Sequence, residues 1–537
     1  MAIIMNHESR TVPTVPTADA AADRFPSECR PGLSRIADRG LDRVEDQERL
    51  PLLNANRAYQ EAGIARFHTP GHKGGRGLAE PLAQLLGSAA SYDICDEVED
   101  PALGNDWDAA VAEAEALAAR LYRVDRSFFL VNGTTSGIQA LMLAALRPGN
   151  EIIMPRDAHW SAVSGLIMTG AIPVYLPTPF DSDAGVPGVP DCSAYEAALA
   201  AHPRARALFM INPNYYGIAG KVAEVAELAH RHGIPLLVDE AHGAHFPFHP
   251  DLPLSALEVG ADGVAHSVHK LLGALTQASL LHVRGPRLDP EKVAGALRLV
   301  TSTSPNPLLC ISLDAARWQM ARQGEELLER TLSLAMAVRQ ELSLIPGLKV
   351  WGVERLGRPG YYDLDPTKVI VDVSGLGITG YTAERMLRKL GVQIELSDFT
   401  HVLALITIGD TPATAERLVG AFRRLAADLA VERGRGEAVA GASLLASLRL
   451  PEPQVAVSPR DAFFAPSEWV EWDRAVGRVA AEWIAPYPPG IPLVSPGEVV
   501  TPAVIEAVHQ FSDAGAHLRT FSPGRDPRQG LLVMASA

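Results

Sequence analysis

Two kinds of apolar run alternate along most of the chain. Short, nearly continuous apolar stretches bounded by Gly, Pro, Asn or Asp predict strands: SFFLVNG (127–133), NEIIMP (150–155), IPVYLP (172–177), ALFMINP (207–213), IPLLVDEAH (234–242), GVAHSVHK (263–270) and ASLLHV (278–283). Longer segments with apolar residues every third or fourth position predict amphipathic helices, among them AAVAEAEALAARLY (109–122), SGIQALMLAAL (136–146) and KVAEVAELAHRHG (221–233). Strands that are apolar on both faces and separated by helices predict a largely parallel sheet covered on both sides, an α/β architecture. A long helical pattern, 312–342, leads to two further strands, TKVIVDVSG (367–375) and HVLALITIGD (401–410), and so to a small α+β domain.

These patterns divide the chain into a flexible arm (1–50), an N-terminal segment (51–110), a large domain (111–345), a small domain (346–430), a Gly/Ala/Arg-rich linker (431–455) and a C-terminal domain (456–537). At 537 residues the chain is long enough for several cores. Its 48 basic and 63 acidic residues leave a formal charge of −15, which argues against nucleic acid or an anionic membrane as partner and suits a cationic small molecule. The four cysteines are far apart, with no metal-type spacing, so no metal is expected and a reducing, cytoplasmic setting is. No apolar stretch is long enough for a membrane span.

Three stretches carry candidate chemistry. In LVNGTTSG, a Gly/Thr/Ser turn between a strand and a helix places Thr134, Thr135 and Ser136 either as phosphate donors or as helix caps. In IPLLVDEAH, Asp239 ends an apolar strand, where it either faces a cationic ligand or caps the following turn. In SVHK, Lys270 is either an exposed ammonium or a desolvated amine able to form a Schiff base, with Ser267 and His269 beside it.

Together with FHTPGHKGG, NPNYYGIAG, STSP, DPTK, ITIGDT and YPPGIPLVSPGE, these stretches resemble the landmarks of the bacterial Orn/Lys/Arg decarboxylases. Those are fold-type I pyridoxal-phosphate enzymes, and the likeness is to their shorter branch, similar to biosynthetic arginine decarboxylases. The resemblance implies an aspartate aminotransferase-like large domain, pyridoxal 5'-phosphate as cofactor and decarboxylation of a basic amino acid in polyamine biosynthesis. Arginine is expected ahead of lysine and ornithine. It implies that Lys270 carries the cofactor, that Asp239 pairs with the ring nitrogen, and that His159 stacks on the ring and approaches the reacting carbon. Thr134, Thr135, Ser136, Ser267 and His269 match phosphate contacts, and Ala241 and His242 lie against the cofactor. Glu498 and Asp398 are candidate partners for the substrate's cation, ahead of the acidic run with Asp93, Asp96 and Glu97. A homodimer or larger assembly is expected, with STSP (302–305) reaching a partner's phosphate.

The sequence departs from the family pattern at Ile138, Trp160 and the pair Asn306–Pro307. If these positions lie near the substrate, a different reaction on a related amino acid becomes the alternative: elimination, cyclisation or oxidation. A non-catalytic member is a further alternative.

Overall fold

The apolar strands assemble as their composition dictates. In the computed structural model, which describes residues 47–94, 106–180, 185–434, 451–487, 490–522 and 524–535, seven of them form one sheet. In chain order the strands of the large domain are β1 (Arg126–Leu130), β2 (Glu151–Pro155), β3 (Ile172–Leu176), β4 (Ala207–Ile211), β5 (Ile218–Ala219), β6 (Leu236–Asp239), β7 (Gly263–His266) and β8 (Ser279–Val283). The seven-stranded sheet has the order β1-β8-β7-β6-β4-β2-β3. All its pairings from β3 to β7 are parallel, while β8 runs antiparallel to both β1 and β7. Residues 267–278 between β7 and β8 hold only the four-residue helix Val268–Leu271, which does not carry the chain back along the sheet, so β8 returns antiparallel beside β7.

Alternate residues of each strand enter opposite cores, the period of a pleated sheet. Leu208, Met210, Leu236, Val238 and Val264 pack with helix Val222–Arg231 and the first turns of the long helix Pro307–Ser343. Phe209, Leu237, Ala265 and Leu281 pack with helices Gly133–Ala145, Trp160–Thr169 and Pro290–Val300.

The long helix starts at Pro307, its side chain in the first turn, where a missing N–H loses nothing. Asn306 caps it by accepting from the amides of Leu308 and Leu309 at 2.9 and 3.4 Å. Its last turns pack on a four-stranded antiparallel sheet with the order Leu396–Ser397, His401–Leu405, Lys368–Asp372, Lys349–Val350. Helices Gly380–Lys389 and Pro412–Gly434 cover that sheet. The C-terminal part pairs Ser467–Glu471 with Gly530–Met534 and Ile484–Pro486 with Leu518–Thr520 around helix Pro502–Asp513.

The strand β5 pairs with Asp363–Leu364 and draws the small sheet's DPTK stretch against the NPNYYG turn. The end of the expected arm departs from the sequence reading. Arg317 donates to the Gln47 side chain at 2.7 Å and Trp318 to the Glu48 carbonyl at 3.1 Å, so residues 47–50 are pinned to the long helix. The rest of that arm and most of the predicted linker lie outside the described residues.

Candidate active site

Five parallel strands end at one cleft of about 410 Å³. The loop after β1 contributes Asn132, Gly133, Thr134 and Thr135, and the turn after β2 contributes His159 and Ser161. Pro213 and Tyr215 follow β4, Asp239, Ala241 and His242 close β6, and Ser267, His269 and Lys270 follow β7. Thr276 and Gln277 cover one side and Tyr487 of the C-terminal part another. Carboxyl ends of parallel strands are where open α/β sheets bind ligands, because the helices that follow point their N-termini there.

Each group has a definite local cause. Gly133 takes a left-handed φ of 68° and donates its N–H to the Gln277 carbonyl at 2.9 Å, turning the chain sharply into helix Gly133–Ala145. Thr134 then reaches across to the hydroxyls of Ser267 and Ser279, the latter at 3.2 Å. Asp239 is buried at the end of β6. Its Oδ1 accepts the Ala241 N–H at 3.1 Å, and no cation pairs with it among the described residues. Burial lifts its carboxyl above the ordinary value, with the Lys270 charge opposing. Lys270 sits in the short helix Val268–Leu271, and burial draws its ammonium below the usual lysine range against the pull of Asp239.

His159 caps helix Trp160–Thr169. Its Nδ1 accepts the Ser161 N–H at 3.2 Å, so a neutral ring carries its hydrogen on Nε2. Burial, helped by the Lys270 charge, pushes its pKa from 6.5 down to about 4. An unfolded chain would take up a proton in that interval, so the stability from a neutral His159 is complete above pH 6.5 and is lost as pH falls towards 4. His159→Gln is therefore expected to flatten that part of the acid-unfolding curve, measured as the urea midpoint of cofactor-free protein at successive pH values.

The residues present suit a flat cationic ring bearing an anionic group. Asp239 is a buried carboxylate that lacks a cation, as a protonated ring nitrogen requires. The helix N-terminus and the Thr135, Thr134, Ser267 and His269 side chains form a donor-rich end. His269 donates Nδ1–H to the Ala278 carbonyl at 2.9 Å, which holds the ring in place. Ala241 keeps one wall small.

Several predicted residues are placed elsewhere. The Ser136 hydroxyl donates to the Gly133 carbonyl at 2.9 Å and does not line the cleft. Glu498 is buried against Arg156, 3.0 Å away, and accepts the Ser495 N–H at 2.9 Å. Asp398 accepts from the Tyr216 hydroxyl at 2.7 Å and lies 3.2 Å from His401. Burial would lift its carboxyl, but His401 and Tyr216 hold it below the ordinary value. Neither acid lines the cleft. Asp93 pairs with His72 at 3.1 Å, and Asp96 and Glu97 lie outside the described residues.

The three departures also lie away from the cleft. Ile138 is fully buried in the core under the sheet. Trp160 stacks on Trp483, ring centres 5.3 Å apart, with Phe521 edge-on. Pro307 opens the long helix.

Two further residues, Lys368 and Glu395, escaped the sequence reading, and Lys368 meets the expected His242. His242 Nε2 is 3.1 Å from the Lys270 Nζ, and His242 Nδ1 is 2.9 Å from the Nζ of fully buried Lys368. Glu395 is exposed on a neighbouring hollow of about 380 Å³ formed by the small sheet, and its charge reaches Lys270, Lys368 and His269. The sequence signal was present for both: Lys368 ends DPTK, and Glu395 stands three positions before Asp398.

Residues 50–414 match the profile of the Orn/Lys/Arg decarboxylase major domain, and 443–528 that of the same family's C-terminal domain. An arginine decarboxylase of Halalkalibacterium halodurans is 40% identical over 87% of this chain and 94% of its own length. The Bacillus subtilis arginine decarboxylase is 37% identical over 87% and 95%. Among solved structures, lysine decarboxylase A of Pseudomonas aeruginosa superposes with a TM-score of 0.75 at 25% identity, covering 90% of this chain and 80% of that one. A lysine decarboxylase of Francisella novicida gives 0.76 at 21% identity over 91% and 81%, a likeness of fold. Among the described residues, no helix is long and apolar enough to cross a membrane.

Proposed function

Because the chain belongs to the Orn/Lys/Arg decarboxylase family, we propose that its cleft binds pyridoxal 5'-phosphate and removes the α-carboxylate of a basic amino acid, arginine first. The observation that carries this reading is the meeting of Lys270, Asp239 and His159 in one cleft at the carboxyl ends of parallel strands. When bound, the cofactor supplies the electron sink that accepts the pair left by the departing CO₂.

The chain supplies the rest. Lys270 would hold the cofactor through its amine and, once free, would hand a proton to the substrate's Cα. Asp239 keeps a proton on the ring nitrogen. His159, neutral and hydrogen-bearing at Nε2, covers the ring and shields the reacting carbon from water. Thr134, Thr135, Ser267, His269 and the N-terminus of helix Gly133–Ala145 hold the phosphate. Orientation of the scissile bond and fixed charges supply most of the acceleration. Decarboxylation leaves a diamine or agmatine, the chemistry of polyamine formation. The cytoplasm and a homodimer complete the same proposal, supported by the sparse cysteines and by the exposed apolar residues Phe67 and Leu85.

Arginine is preferred because relatives that share 36–40% of their residues with this chain carry the name arginine decarboxylase. The alternative reactions lose their motive, since Ile138, Trp160 and Pro307 do not line the cleft. With Glu498 and Asp398 held by internal partners, the substrate's cation is assigned to Glu395, which stands on the neighbouring hollow and whose charge reaches Lys270. The test is CO₂ release from arginine, lysine and ornithine by cofactor-loaded enzyme. Release should be fastest with arginine, and Glu395→Gln should raise KM for arginine about tenfold with a smaller change in kcat. No CO₂ from any of the three would overturn the proposal.

A further inference from the structure

Hydrogen-bond counting at His242 leads beyond the reaction itself. A lysine Nζ stands at each ring nitrogen: Lys270 at Nε2, 3.1 Å away, and Lys368 at Nδ1, 2.9 Å away. A neutral imidazole has one N–H and one lone pair, whereas an ammonium only donates. If both lysines were ammonium ions, one link would place two hydrogens between two nitrogens. Each link accommodates one hydrogen, so the three bases together carry at most one positive charge.

We propose that Lys368, His242 and Lys270 form a relay holding that single charge, and that Lys368, acting through His242, decides whether Lys270 is an amine or an ammonium. The inference rests on the reading of Lys270 as the cofactor-binding amine. With the proton on Lys368, Lys368 donates to Nδ1, Nε2–H donates to Lys270, and Lys270 is a neutral nucleophile. When Lys270 needs a proton, one hydrogen crosses each link in the same direction; nothing else is gained or lost.

The surroundings are built for Lys368 to hold a proton. Its Nζ donates to the Tyr215 carbonyl at 2.9 Å. Asp365, steadied by the Thr367 amide and hydroxyl at 3.0 and 2.6 Å, supplies negative charge. His245 lies 3.2 Å from the same carboxylate. Gly217, at a φ of 87°, leaves room for the lysine stem: a Cβ there would stand 2.8 Å from Lys368 Cδ. Among the described residues, the other charged or titratable groups facing the relay include Asp239, Glu395, His159, His269 and the Tyr215 ring, which packs edge-on against His242. Burial draws Lys368 from 10.5 down to about 7 against the pull of Asp365, and burial draws Lys270 down as well, so each amine gives up a proton more readily than an exposed lysine. Lys368 does not line the cleft, so it is a positioning residue.

The test is competitive labelling of full-length, cofactor-free enzyme with trace acetic anhydride across pH, with Lys270 modification read by mass spectrometry. Lys368→Met removes the alternative proton holder and should raise the pH midpoint of Lys270 labelling by about one unit, a tenfold loss of reactive amine. Lys368→Arg, which never yields its proton, should lower the midpoint. Both shifts should vanish in a His242→Phe background. Equal shifts with and without His242 would mean direct charge repulsion, and no shift would mean no coupling; either overturns the relay. Should Lys368→Met fail to fold, the arginine variant carries the same comparison. CO₂ release by the wild type reads the decarboxylase proposal separately.

Discussion

Replacing Lys270 with alanine is expected to reduce CO₂ release from arginine by roughly 10³-fold or more, with the fold retained. Among the described residues, Lys270 supplies the one primary amine lining the cleft with Asp239 and His159, and the burial that lowers its ammonium character also makes it reactive. The side chain lines a cleft and helps fill no core, so its loss removes chemistry while adding little to an existing cavity. His242 loses its partner at Nε2 and gains access to solvent in the cleft. Lys270→Arg should be equally inactive, because a guanidinium does not release a proton to expose a lone pair. Small primary amines added to the alanine variant should restore part of the rate, since they enter the space the lysine left. Activity within tenfold of wild type in Lys270→Ala would place the nucleophile elsewhere.

Sheet and cleft were legible because their signals are local. An apolar run ending in Asp239, or a Gly133 turn opening a helix, carries its meaning within a few residues. The antiparallel return of β8 was not foreseen, although the short 267–278 connection contains the reason. What stayed hidden depends on partners distant in sequence. The His242–Lys368 contact joins residues 126 positions apart, through a pairing of β5 with Asp363–Leu364 that two-residue strands scarcely announce. Acidic residues were the hardest to sort. Glu395, Asp398 and Glu498 look alike in a sequence, and only the structure shows that Tyr216 and His401 occupy the second, Arg156 occupies the third, and the first is left open. Trp160 misled for the opposite reason: it adjoins His159 in sequence, but successive residues at a helix start point in different directions, and its ring goes to Trp483.

The second large effect concerns stability and separates two readings of Glu498. Its carboxylate and the Arg156 guanidinium are 3.0 Å apart, with side chains only 4% and 7% exposed. Arg156 also lies over the Tyr175 ring at 5.3 Å, so the guanidinium is enclosed on two sides. Truncation to alanine leaves that cation buried without a counter-charge, which costs about 3–5 kcal/mol. The pair joins the turn after β2 to the C-terminal part, so the loss should appear first as loosening there. Amide hydrogen exchange over 480–500 should rise in Glu498→Ala, together with a lower unfolding midpoint in urea. The double variant Arg156→Met/Glu498→Leu should recover much of the loss, because removing both charges removes the unpaired one. Residual activity per folded molecule should keep its KM for arginine, since Glu498 does not line the cleft. A stable Glu498→Ala protein with KM raised tenfold or more would instead make Glu498 the partner of the substrate's cation, and Glu395 would lose that role.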